Sequence, residues 1–240
     1  VLAATGALRG GGGLVTLFVP STIRDTVACR CPAEVIVRSY VNPRELLDIR
    51  MDALVTGCGL GELTDGQTEG LLELLSEKNV PTVVDAGAIN LLARSEKTAI
   101  LRANHLITPH PGEFARIAPD LGNLPREEAA RRFVENSRAT LLLKGSRTII
   151  AAAGGPLYCN STGTPAMATG GQGDILAGVI GARLATGLSL PEAACLSAWA
   201  CGRAAEIALA TGRFSEETLL PTDVLEFLGG AFLDWRRATR

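Results

Sequence analysis

The 240-residue chain lacks most of the features that mark a special architecture. No apolar run reaches the ~18 residues of a transmembrane helix before Gly, Pro or a charge interrupts it. Lys and Arg do not cluster, and 23 basic against 25 acidic residues leave a net charge of −2. That excludes a binder of nucleic-acid backbone, which needs a concentrated basic face. The six cysteines (29, 31, 58, 159, 195, 201) contain no Cys-x-x-Cys pair, and Cys29-x-Cys31 is too close for a zinc knuckle. With only His105 and His110 to complete a ligand set, no metal cluster is expected. No secretory pattern is present, so a reduced, cytoplasmic setting with free thiols is expected. Lysine is scarce, with three against 20 arginines.

What is present suits a globular α/β protein. Hydrophobic residues make up 47%, charged residues 20%, and mean hydropathy is +0.23. A chain of this length buries about 70–75% of its unfolded surface and needs no disulfide or metal staple. Short β-branched runs at 14–19, 34–40, 53–57, 82–86, 105–109 and 140–145 are mostly apolar on both faces, as in a doubly covered parallel sheet. Helical patterns at 66–78, 88–102 and 125–137 separate several of them, which predicts right-handed crossovers. The segments 148–153 and 156–160 flank Gly154-Gly155 and predict a hairpin at the sheet edge. The rest reads as helical: 173–186 stops at Gly187, and Ser189-x-x-Glu192 with Pro191 opens a second helix running to Ala210. Residues 1–13 read as the back half of a helix ending in a glycine run, with a strand expected upstream. One domain over 1–240 is expected.

The most informative segment runs from Asn160 to Gly178. Gly170, Gly171 and Gly173 stand just ahead of a helix, where bare N–H groups and the helix dipole form an anion hole with Gln172 between them. Asp174 at such a mouth is unfavourable for binding anions, but it makes sense as a base that takes a proton from a hydroxyl attacking phosphorus. The competing reading is a helix cap. The loop is not a Walker A, since no Gly-Lys-Ser/Thr follows. Thr108-Pro-His110-Pro-Gly-Glu113 holds His110 in a stiff loop at a strand's carboxyl end, where open α/β sheets bind ligands. Lys144 ends the buried strand 140–145, where an ammonium wants an anionic partner or reaches solvent. Gly57-Cys-Gly-Leu-Gly61 also follows a strand and by itself is a weak nucleotide signal.

Together these stretches resemble the ADP-dependent NAD(P)H-hydrate dehydratases, a branch of the ribokinase-like superfamily. TPHPGE (108–113), KGSRT (144–148) and N-x-TG-x-P-x-MATGG-x-GD-x-LAG (160–178) carry the resemblance, with VTGCGLG (55–61) and DAGAIN (85–90) as further landmarks. It implies a three-layer α/β/α fold with a mostly parallel sheet, an antiparallel edge hairpin and a helical C-terminus. It implies repair of NADH or NADPH hydrated at C6 of the nicotinamide ring, using ADP, or ATP in its place, with Mg2+. Asp174 would be the catalytic base and touch the hydrate. Gly61 and His110 would line the hydrate pocket. Lys144, Gly145, Ser146, Arg147 and Thr148, with Gly173, would hold the AMP part of the nucleotide. A homo-oligomer, a tetramer by resemblance, is expected, with no nucleic-acid or membrane partner.

The chain departs from the family pattern at Gln172, where a small hydroxyl residue is usual, and at Cys58, where proline is usual. Thr164, Gly87 and Ala166 replace a usual Asn, Asp and Gly. Two other functions share these motifs. One is a ribokinase-like kinase of thiazole or hydroxymethylpyrimidine alcohols, although some of those have T-P-N-x-x-E in place of TPHPGE. The other is a nucleotide-binding domain without turnover, against which the intact Asp174 speaks.

Overall fold

The computed structural model describes residues 1–238. Its helices are α1 (Leu2–Arg9), α2 (Arg24–Ala28), α3 (Asp65–Glu77), α4 (Ala86–Arg94), α5 (Pro111–Ile117), α6 (Arg126–Ser137), α7 (Gln172–Ala185), α8 (Leu190–Ala210) and α9 (Pro221–Ala238). Its strands are β1 (Val15–Pro20), β2 (Val35–Tyr40), β3 (Leu54–Thr56), β4 (Thr82–Val84), β5 (His105–Ile107), β6 (Thr140–Leu143), β7 (Ile149–Ala151) and β8 (Tyr158–Cys159).

The main sheet has the order β3-β4-β5-β6-β7-β8. Its first four strands are parallel, with Leu54 beside Thr82, Thr82 beside His105 and Leu106 beside Thr140. The 148–160 hairpin adds β7 and β8 antiparallel at one edge, as the Gly154-Gly155 turn predicts. Side chains alternate between the two faces at the period of two that strands impose. Val84, Ile107, Leu141, Leu143, Ile149 and Ala151 face a core completed by α3 to α6. Val83, Leu106, Leu142 and Ile150 face α7 and α8. A third cluster lies between α7, α8 and α9. The chain thus forms three layers, with both sheet faces covered, which is why its strands read as continuous apolar runs. Among the described residues no helix is long and apolar enough to cross a membrane.

Two expectations need correction. The helix predicted over 88–102 ends at Arg94, because Glu96 adopts a left-handed φ of 55° and a 3-10 turn at Thr98–Ile100 follows. β1 and β2 pair in parallel with each other and stand apart from the six-stranded sheet. In β2 only Val35 and Tyr40 are buried, so this ribbon is not doubly covered.

α1 lies along α7 with backbone against backbone. A Cβ on Gly178 would stand 1.9 Å from the Ala3 carbonyl oxygen, and one on Gly6 would stand 2.6 Å from that of Ile175. These glycines set how closely the helix carrying Asp174 is held.

Candidate active site

The parallel strands stop short of the ends their apolar runs suggest, because the residues that follow leave the ladder and turn inward. The backbone bonds continue for one more step: the N–H of Asp85 donates to Thr56 O, that of Thr108 to Val84 O, and that of Lys144 to Pro109 O. Cys58, Asp85, Thr108 and Lys144 therefore gather at the carboxyl ends of β3, β4, β5 and β6. This is where open α/β sheets bind ligands.

Gly57 fixes the first corner. Its φ is 109°, and a Cβ there would stand 1.8 Å from the Asp85 carbonyl oxygen. The close approach lets Gly57 O accept the N–H of Gly87 at 3.1 Å, closing the start of α4 from outside. Asp85 occupies the N-cap position of α4, yet its side chain caps nothing there. One of its oxygens accepts instead from Thr108 Oγ1 and from Lys144 Nζ, each at 2.7 Å. Asp85 is buried, and a buried carboxylate stays charged only with such partners. The residue after it, Ala86, holds a left-handed φ of 42°, a strained value for a residue with a Cβ.

α7 starts directly over this cluster. Its N-cap is Gly171, at φ 99°, and no side chain caps it. The first helical bond runs from Ile175 N to Gly171 O. The N–H groups of Gln172, Gly173 and Asp174 thus point out of the helix start without intrahelical partners, and the dipole adds about half a positive charge. Asp174 is the third helical residue and does not cap the helix, which removes the competing reading of that residue. Its carboxylate, one Asp85 oxygen and the Cys58 sulfur all lie within 4.8 Å of one another. Burial and the two carboxylates push the Cys58 thiol well above its ordinary range, so it stays protonated and is no nucleophile. Gly173 leaves room for Lys144: a Cβ there would stand 3.1 Å from Lys144 Nζ.

The other sequence candidates sit on the turns that follow β3, β5 and β6 or at the start of α7. Gly170 is exposed with open space about it, and Gly61 is exposed on its turn at φ 66°. Gln172 gives its backbone to the helix start. Its side chain is buried on the face shared with Ile175, and its carboxamide has no partner. His110 caps α5: Nδ1 accepts from Gly112 N at 3.0 Å and Glu113 N at 3.4 Å, while Glu113 takes the His110 N–H at 2.9 Å. With Nδ1 accepting, the ring carries its proton on Nε2, 3.5 Å from Glu113 Oε1.

The 144–148 stretch divides. The Lys144 side chain turns to Asp85, while Gly145, Ser146 and Arg147 form an exposed turn. Arg126 holds that turn by donating to the carbonyls of Leu143, Lys144 and Arg147 at 3.3–3.4 Å. Thr148 O accepts the N–H of Asn160. Asn160 lines a cavity of about 190 Å³ with Ile150, Tyr158, Cys159, Ser161, Cys195 and Trp199. Asp85, Thr108 and Arg126 were not singled out as site residues from the sequence. Asp85 could have been, because an acid closing a buried strand demands a partner as much as Lys144 does.

Three layers and a mostly parallel sheet, with an uncapped glycine-rich helix start over a carboxylate, give the chain the ribokinase-like fold. Similarity to known proteins narrows the class. The profile of the NAD(P)H-hydrate dehydratase family matches residues 1–228, and the chain belongs to that family. It is 36% identical over 219 residues to the ADP-dependent (S)-NAD(P)H-hydrate dehydratase of Neisseria meningitidis, covering 86% of this chain and 71% of that one. It is 37% identical to the bifunctional NAD(P)H-hydrate repair enzyme Nnr of Moorella thermoacetica, over 95% of this chain and 45% of that one. The chain thus spans less than half the length of that bifunctional relative. The ADP/ATP-dependent NAD(P)H-hydrate dehydratase of Bacillus subtilis, co-crystallised with ATP and Mg2+, superposes with a TM-score of 0.76. That match is 26% identical and covers 98% of this chain and 85% of that one.

Proposed function

We propose that this chain dehydrates NADH or NADPH that has taken up water at C6 of the nicotinamide ring, with ADP as phosphoryl donor. The observation that carries the reading is Asp174, held as the third residue of an uncapped helix start. The Asp174 carboxylate makes no cap bond, and beside the open N–H groups it would take the proton of a hydroxyl approaching a phosphoryl group. In the first step Asp174 accepts the C6 hydroxyl proton and the hydrate oxygen bonds to the terminal phosphorus. The bond to the bridging oxygen breaks, and AMP leaves with the electron pair. Charge on the phosphoryl oxygens would fall on the N–H groups of residues 172–174. In the second step the C6–O bond breaks toward phosphate, pushed by the ring nitrogen's lone pair. Loss of the C5 proton to the departing phosphate then restores the dihydropyridine.

Gly61 and the exposed edge of His110 would face the hydrate. Gly145 to Thr148 would hold the AMP part; the Asn160 amide beside them is spent on Thr162 and the Ala198 carbonyl and is not free for a base. The cluster does not form a dedicated magnesium site. One Asp85 oxygen is taken by Lys144 and Thr108, and the Cys58 thiol is a soft ligand, whereas Mg2+ wants hard oxygens and water. A magnesium ion would arrive on the nucleotide's phosphates. We place the protein in the cytoplasm as a homo-oligomer.

Absorbance at 340 nm tests the function. Hydrated NADH with the chain and ADP is expected to regain the NADH band, with AMP and phosphate as products. Formation of a stable phosphate ester without that band would replace this reading with a small-molecule kinase. Running the assay with ATP ranks the two donors.

A further inference from the structure

We infer that Asp85 is a positioning residue: it holds the Lys144 ammonium over the open start of α7, against the phosphoryl group that leaves the nucleotide. The inference rests on the function proposed above and assigns Lys144 to the terminal phosphate, apart from the AMP-binding turn that follows it.

Asp85 stands where a helix cap belongs, yet its side chain makes no cap bond, because Gly57 O already serves the α4 start. A structural aspartate at that position would turn to its own helix. This one turns away, across a backbone strained at Ala86, and spends one oxygen on Thr108 and Lys144 at 2.7 Å each. The Thr108 hydroxyl fixes the carboxylate, and the carboxylate fixes the ammonium. Lys144 then lies against Gly173, where its charge adds to the N–H groups of the helix start. A bound terminal phosphate would meet both.

The pairing also decides where Lys144 does not go. Two carboxylates, Asp85 and Asp174, crowd within 4.8 Å of each other around Cys58. A lysine paired with Asp174 instead would weaken it as a base. Salt-bridged to Asp85 at 2.7 Å, the ammonium is anchored on the Asp85 side with N–H donors to spare, and Asp174 is left to accept a proton. The pair further cancels one negative charge that would repel an incoming polyanion.

Four proteins test this: wild type, Asp85→Asn, Lys144→Ala and the double variant. Calorimetric titration with ADP and with AMP is the first arm. Both single variants are expected to lose about tenfold in ADP affinity, the scale of one lost charge-assisted contact, with AMP affinity unchanged. An equal loss for AMP overturns the assignment. This arm needs no turnover, so it judges the inference even where wild type fails the 340 nm assay, a failure that would count against the dehydratase reading alone. The second arm is kcat with hydrated NADH. Each single variant is expected to fall by about 10²-fold with hydrate KM within twofold, and the double to be no slower than Lys144→Ala. A further tenfold loss in the double would show Asp85 acting by another route and overturn the inference. Asp85→Asn leaves a half-buried ammonium unpaired. Where it fails to fold, Asp85→Glu keeps the charge and displaces it: reduced kcat is expected, and wild-type kcat would overturn the inference.

Discussion

The two ends of the parallel sheet carry polar groups that are wholly or partly buried and use them in opposite ways. At the amino end, Asn104 donates to the carbonyls of Lys78 and Val80, Arg102 donates to the carbonyl of Lys78, and Lys78 to those of Leu47 and Ile49. Each side chain there closes a neighbouring loop through its terminal nitrogen, although the Arg102 Nε stays buried without a partner. At the carboxyl end, Asp85, Thr108 and Lys144 bond to one another while the α7 start above them is left uncapped. Polar groups that end on backbone carbonyls hold a fold. Groups that converge on each other beneath unsatisfied amides are arranged for something that is not part of the chain.

The comparison breaks most sharply at Asp174. Asp174→Asn keeps the shape and removes the proton acceptor. A fall in kcat of roughly 10²–10⁴ is expected, the usual worth of general-base catalysis, with ADP affinity equal or slightly improved. A variant retaining more than about a tenth of wild-type kcat would contradict the role of the base.

The amino end should show the reverse, stability without rate. His105 is fully buried at the start of β5, and burial together with the nearby Arg102 charge lowers its pKa from 6.5 to about 4. The unfolded chain binds this proton below pH 6.5 and the folded chain does not until about pH 4. Its contribution is therefore complete above pH 6.5 and is lost as pH falls toward 4, in all about 3 kcal/mol at 1.36 kcal/mol per unit. Denaturant melts of wild type and His105→Gln between pH 7 and pH 4 should show a shallower acid slope in the variant. Equal slopes would place the acid sensitivity elsewhere.

Gly178→Ala probes the join between the halves. Its Cβ would meet the Ala3 carbonyl at 1.9 Å, so α1 must lift from α7. A loss of about 1–3 kcal/mol is expected, as for other overpacked sites. A drop in kcat is expected with it, since the helix bearing Asp174 loses its backstop. Thermal melts and the 340 nm assay measure the two.

The smallest effect belongs to the start of α8, the closed counterpart of α7. There Glu192 reaches back to accept the Ser189 N–H at 2.9 Å and its hydroxyl at 2.5 Å. Ser189→Ala should cost about 1 kcal/mol of stability and leave kcat unchanged. Any rate effect would show that the two helix starts are coupled.

The sequence makes the carboxyl end legible wherever chemistry is packed into neighbouring residues. The Gly170–Asp174 turn announces a helix start, and α7 begins there without a side-chain cap. The hairpin at 148–160 and the opening of α8 are equally local, and the alternation of strands and helices yields the three layers. What escaped was set by distance along the chain. Asp85 and Lys144 are 59 residues apart, so Lys144 reads as a charge in want of a partner, Asp85 goes unnoticed, and only the parallel register brings them together. His110 reads as a pocket residue and also serves as the cap of α5, a duty visible in the His-x-x-Glu spacing only once the helix start is known. The overrun at 95–102 came from a left-handed Glu96, a residue with no special turn signature.

The β1–β2 ribbon adds a consequence on the time axis. It is a two-stranded parallel pair with Val19, Val35 and Tyr40 as its buried side chains, and a two-stranded sheet alone is barely stable in water. Its amides should therefore exchange with solvent through local opening, at a free energy well below that of the whole molecule. Amides of β4, β5 and β6 sit between two apolar layers and should exchange only through global unfolding. Every charged group of the candidate site hangs from those slow strands or from α7. The ribbon can thus open and close many times during the life of one folded molecule without disturbing Asp85, Lys144 or Asp174.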